Sequence, residues 1–147
     1  MASLVPTARV LARNLVTRSQ VNVCVRALPQ ECWRCHTASL ALGVVHVADH
    51  PSSVIRTAQG PELEYVRDLL VLAGSPLAAT VKPRYSRSLR CSYTSSGCAH
   101  CDALFGAHFI HERVTEIQAA GAVETMPLVA YLSRPSLELI LLESIAI

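Results

Sequence analysis

Cys32-Trp33-Arg34-Cys35 and Cys98-Ala99-His100-Cys101 are two Cys-x-x-Cys pairs, and their reading decides the fold. Two residues between cysteines let both sulfurs face one ion from a tight turn. The amides of that turn can donate to the thiolates and lower the cost of their charge. Two such pairs supply the four thiolates of one tetrahedral zinc site. Residues 36–97 lie between the pairs, so a shared ion would pin together segments far apart in the chain. The residue after each second cysteine is expected in a left-handed conformation. Asp102 tolerates it better than most residues, and His36 belongs to a type enriched there.

Other chemistries use the same residues. Cys32-Trp33-Arg34-Cys35-His36 matches the haem c attachment pattern, with His36 as the axial ligand. That attachment needs export, and the second pair is followed by Asp102. A thiol–disulfide oxidoreductase using Cys32 and Cys35 would place them at a helix start after a strand. Val21–Arg26 reads as that strand, but Leu40–Val47 after the pair is a poor helix. His100, inside the second pair, could replace a cysteine as ligand, although four thiolates suffice. Cys24 and Cys91 are left over and read as small buried apolar side chains.

With 147 residues the chain suits one domain with a real core. Hydrophobic residues make up 51% and mean hydropathy is +0.34, which reads as a large core, the alternative being excess apolar surface that meets a partner or a second copy. Charges break every long apolar run, so no membrane span is expected. A net charge of +2 is too small to announce nucleic acid. All basic residues except Lys82 are arginines, and Arg9, Arg13, Arg18 and Arg26 precede the first acid, Glu31. That start also fits a mitochondrial transit peptide, the alternative to a cytoplasmic location. No secretory signal is recognisable, and close cysteine pairs in a reducing compartment favour metal over disulfides.

Helical potential falls on Val5–Arg18, on Pro61–Ala73 and on His108–Ala120. In the second of these, Glu62 and Glu64 favour the helix start and Gly74 is the stop; Tyr65, Leu69 and Val71–Leu72 are its expected buried face. Strands are expected at Val21–Arg26, ended by Pro29, at Leu40–Val47 and at Leu128–Leu132. Cys32–Cys35 then sits at a hairpin turn. Arg84–Thr94 reads as extended, and Ala48–Gly60 and Ser75–Pro83 as loops. Periodicity does not decide whether Ser136–Ile147 is a helix or an edge strand.

The run Tyr85-Ser86-Arg87-Ser88 … Tyr93 … Cys98-Ala99-His100-Cys101-Asp102-Ala103-Leu104-Phe105-Gly106 … Phe109 resembles a zinc-ribbon module of bacterial proteins without an assigned function. Cys32-Trp33-Arg34-Cys35 resembles the first knuckle of that module. The resemblance covers the knuckles and their flanks. It implies zinc and a structural ribbon, and no reaction. Glycine is usual where Asp102 stands.

His46 and His50 flank Asp49, but Pro51 follows, and exposed loop histidines are the expectation. His108 and His111 near Glu112 match neither metalloprotease order. No phosphate loop or nucleophile elbow is present. Arg84, Arg87 and Arg90, among Tyr85 and Tyr93, form a candidate nucleic-acid contact; the alternative is a solvated strand face.

These readings combine into an α+β fold: a small zinc-ribbon-like β core with inserted and C-terminal helices. Cys32, Cys35, Cys98 and Cys101 are the metal ligands. The expected function is a non-enzymatic binding or adaptor module for protein or nucleic acid, with a possible homodimer through the apolar C-terminus.

Overall fold

Alternating valines begin the central strand of the molecule. The computed structural model describes residues 19–51 and 53–146, so the helix expected at Val5–Arg18 lies outside the described residues. Strand β1 (Gln20–Glu31) pairs antiparallel with β2 (Ala38–Val47) on one side and β6 (Leu128–Pro135) on the other. A two-residue strand, β3 (Ile55–Arg56), extends the sheet beyond β2 to give the order β3-β2-β1-β6. It falls in the stretch expected to be loop.

Period-two alternation sends Val21, Val23 and Val25 to one face of this sheet. There they meet Leu63, Val66, Leu69 and Leu70 of helix α1 (Gly60–Leu72), with Leu139 and Leu142 of helix α3 (Ser136–Ala146). The opposite face carries Leu28, Ala41 and Val44. It packs on Ile110 and Val114 of helix α2 (Ala107–Ala119), on Phe105, and on Cys32 and Cys98. The register shifts at Gly43 of β2, which is skipped between the pairs Arg26–Val44 and Ala27–Leu42, so Leu42 and Val45 face the first core while Ala41 and Val44 face the second. The fold is α+β, with three α-helices and six strands in two antiparallel sheets among the described residues.

Helix α1 starts with Pro61 in its first turn and stops where Gly74 takes φ +69°. The Gly74 amide donates to Val71 O and the Ser75 amide to Leu70 O. The buried stripe differs from expectation in part. Leu69 is inside and Tyr65 packs against the core, but Val71 and Leu72 are exposed. Leu63, Val66 and Leu70 recur at helical spacing and turn those two residues to the other side. The C-terminal segment is helical, and no helix among the described residues is long and apolar enough to cross a membrane.

Pro29 does not end β1. The Ala27 amide donates to Pro127 O on the β6 side, and the Cys32 amide donates to Thr37 O on the β2 side. Pro29 therefore has its donor-less nitrogen on the β6 side, where β6 pairing has already stopped at Arg26. An edge position tolerates proline.

The Arg84–Thr94 run is not one extended strand. It folds into the hairpin of β4 (Lys82–Ser86) and β5 (Cys91–Ser95), with Arg90 at φ 56° in the turn. Cys91 is exposed on this hairpin, whereas Cys24 is buried as expected. His46 is buried rather than exposed, because it lies within β2. Arg26 Nε donates to its Nε2 (2.9 Å), and its own Nδ1 donates to Val47 O (2.7 Å).

Candidate metal centre

Each pair of cysteines occupies a tight backbone turn. The first is the connection between β1 and β2, where the His36 amide donates to Cys32 O and the Cys32 amide to Thr37 O. The second follows β5, where the Asp102 amide donates to Cys98 O and the Cys98 amide to Ala103 O. Both turns are completed by a residue with positive φ, His36 at 60° and Asp102 at 68°. The two turns thus share the same backbone design, and the left-handed expectation holds at both positions.

Hydrogen bonds from β2 to the segment of the second turn bring them together: the Ala99 amide donates to Ser39 Oγ and the Leu42 amide to Ser96 Oγ. Cys32 Sγ lies 3.5 Å from Cys101 Sγ, and Cys35 Sγ lies 3.6 Å from Cys98 Sγ. All four sulfurs fall within 4.8 Å of one another. A tetrahedral ion with sulfurs about 2.3 Å away sets its ligands about 3.8 Å apart. The observed separations fit that edge and are far longer than a disulfide bond. All six cysteines of the chain are free.

Cys32 and Cys98 are buried, while Cys35 and Cys101 are half-buried. Amides support the thiolates: Arg34 N–H points at Cys32 Sγ (3.4 Å), and His100 N–H at Cys98 Sγ (3.4 Å). Burial pushes the Cys32 thiol up. The Thr37 hydroxyl and amide hold the Cys35 thiol down. At Cys101 burial opposes ionisation, yet the Ala103 amide and the Arg34 guanidinium hold the thiol down to about 6. A cation bound by all four thiolates would release the remaining protons.

Charged neighbours clamp the turns. Arg34 donates to Cys101 O and lies 6.0 Å over the Trp33 ring. Trp33 Nε1 donates to Leu104 O at 2.8 Å, which ties the first turn to the residues after the second. Asp102 Oδ1 accepts from Lys82 and from Arg84 Nη2, both at 2.8 Å. Lys82 first, then Arg84, holds the Asp102 carboxyl below the usual carboxylate range.

Arg84, Arg87 and Arg90 do not share one situation. Arg84 is buried and donates from Nη1 to Thr80 O and Ser95 O, both at 2.8 Å. Arg87 and Arg90 are exposed at the hairpin turn. Glycine at position 97 makes room for the Arg84 guanidinium, since a Cβ there would fall 2.3 Å from its Cζ. Sequence reasoning missed this buried arginine. The glycine just before the second pair is the signal that points to it. His50 is half-buried rather than exposed and lies 3.8 Å from Asp49, while His108 and His111 sit at the surface: His108 pairs with Glu112 at 3.0 Å, and His111 lies 3.1 Å from Arg56 Nη1.

No family model, curated protein or solved structure matches this chain. The arrangement is that of a four-cysteine cluster compatible with metal binding, inside an α+β fold.

Proposed function

We propose that this chain is a zinc-binding protein with a structural four-cysteine site, and that it serves as a non-enzymatic binding module. One observation carries the reading: four sulfurs from two matched turns lie at separations that suit a tetrahedral ion. Four protein sulfurs complete the coordination of zinc and leave no position for a reacting water, so the metal's role is to hold the fold. The buried sulfurs Cys32 and Cys98 belong to the core beneath α2, which supports that role. The resemblance of the knuckles to zinc-ribbon modules points the same way. A reducing compartment would keep the thiolates available.

The oxidoreductase alternative has less support. Cys32 and Cys35 lie in a strand-to-strand turn and not in the first turn of a helix, the position that activates a thiolate, and each faces a sulfur of the other pair. The test is the metal content of the purified protein beside Cys98→Ala and Cys24→Ala. One zinc per chain is expected in the parent and in Cys24→Ala, with loss of metal and of cooperative unfolding in Cys98→Ala. Metal-free parent protein with a reversible Cys32–Cys35 disulfide would sink the proposal.

A further inference from the structure

The half of β1 beyond Arg26 has an open edge. Its pairing with β6 stops at that residue, and only the Ala27 amide makes one more bond, to Pro127 O. Residues 28 and 30 pair with Ala41 and Ser39 of β2, and Cys32 bonds Thr37 in the same register. Residues 27, 29 and 31 therefore turn their backbone groups away from β2. Past Ala27 the outward groups are Pro29 O, Glu31 N–H and Glu31 O. No strand among the described residues covers them. An open strand edge is a template for pairing with another chain.

That edge is one wall of a groove of about 580 Å³. Trp33 forms its end, and Phe109 and Arg113 of α2 form the facing wall. Trp33 and Phe109 are 62% and 67% exposed, far more than buried aromatics of a core. Trp33 is held rigid, because it sits between two of the clustered cysteines and its ring nitrogen is bonded to Leu104 O. A second groove of about 770 Å³ shares Phe109 and Gly106 and prolongs the first along the hairpin.

Glu31 and Arg113 are the charged residues that line the first groove. Glu31 lies 3.4 Å from His36, and Arg113 has no ion-pair partner among the described residues. Gly106, which begins α2, brings no side chain to the first-turn amides, and no acid stands in that turn. Both features favour a carboxylate in the groove. A phosphate backbone needs several cations along its track, and one arginine opposite Glu31 does not supply them.

We infer that this groove is a docking site for an extended peptide of a partner protein, one that adds a strand to the open edge of β1. The peptide places an apolar side chain between Trp33 and Phe109 and a carboxylate on Arg113. The inference deepens the binding-module reading above and rests on it, because the zinc turns hold Trp33 in place.

The test selects a random twelve-residue peptide library, displayed on phage, against the zinc-loaded full chain. The selected peptides are then titrated by fluorescence anisotropy. Peptides with an acidic residue beside an apolar one are expected. Arg113→Glu and Phe109→Ala, both at exposed positions, should weaken binding about tenfold or more. Arg67→Glu, on α1 across the sheet, should leave it unchanged. Hydrogen exchange at the Glu31 amide should slow in the complex, which a contact made by side chains alone would not produce. The inference is overturned if no peptide is selected, if binding ignores Arg113→Glu, or if a twenty-nucleotide oligothymidine binds instead and is lost in Phe109→Ala. Zinc measured on the same samples separates the two readings: zinc-loaded protein that selects no peptide here refutes the groove alone, and zinc-free protein refutes the metal centre.

Discussion

Replacing Arg84 by methionine separates a structural arginine from a nucleic-acid contact. The Arg84 side chain is 6% exposed and donates to Thr80 O, Ser95 O and Asp102. Methionine refills most of the volume but leaves the two backbone carbonyls without their donor. An orphaned buried acceptor costs about 1–3 kcal/mol. Asp102 is 55% exposed and keeps Lys82, so its lost partner adds at most about 1 kcal/mol. The terms add to about 2–7 kcal/mol, and a return of about 1 kcal/mol from the buried thioether leaves about 1–6 kcal/mol. With a urea slope of about 2 kcal/mol/M, the unfolding midpoint of the zinc-loaded protein should drop by about 0.5–3 M. Arg87→Met, at an exposed turn position, should stay within about 0.5 kcal/mol of the parent. The reasoning fails if Arg84→Met unfolds at the parent's midpoint. It fails more sharply if that variant keeps its stability and loses affinity for oligonucleotides, the pattern of a phosphate contact.

Three further outcomes follow from the same structure. His36 holds φ 60° at an exposed site, so His36→Gly relieves about 1–2 kcal/mol of left-handed strain against the entropy of a freer unfolded chain. A net gain of about 0.5–1 kcal/mol should appear in urea melts, while Asp102→Gly should lose stability with its pairs to Lys82 and Arg84. Burial pushes the Glu143 carboxyl from 4.5 up to about 7, and its Oε2 has no hydrogen-bond partner. The folded protein thus keeps a proton that the unfolded chain releases. Its contribution is at full strength below about pH 4.5 and is lost as pH rises through about 7, on the order of 1–3 kcal/mol. Glu143→Gln should remove that slope from a series of urea midpoints. Burial also holds the His46 imidazole down from 6.5, and Arg26 donates to its Nε2, which requires the neutral ring. Below about pH 6.5 the unfolded chain takes up a proton that the folded ring refuses, so stability falls as pH falls. His46→Gln should flatten that acid limb; an unchanged limb would show that another group sets it.

What was legible in the sequence is what a few adjacent residues encode. The cysteine pairs, the left-handed residues after them, Pro61 at the start of α1 and Gly74 at its end each carry their own geometry. The positions misread depend on neighbours far along the chain. Pro29 looks like a strand terminator until β6 stops pairing at Arg26 and leaves an edge that needs no donor. His46 looks like a loop residue until Arg26 arrives from β1 to bond it. Val71 and Leu72 look like core until α1 is seated on the sheet by Leu63, Val66 and Leu70.

Asp102 shows how a local departure acquires a distant reason. Glycine would meet the left-handed geometry after Cys101 without strain, so a side chain there must be compensated. The compensation comes from Lys82 and Arg84, both on β4, which reach the same carboxylate oxygen. Arg84 can lie buried there because residue 97 lacks a Cβ. Its other donors hold Thr80 O, ahead of β4, and Ser95 O, at the end of β5. One guanidinium therefore fixes the hairpin to the second cysteine turn, and the strain at Asp102 is balanced by that attachment. Lys82, Arg84, Gly97 and Asp102 form one unit, so substitutions within it should be non-additive. Gly97→Ala would displace the guanidinium and should gain little further cost once Arg84 is already methionine.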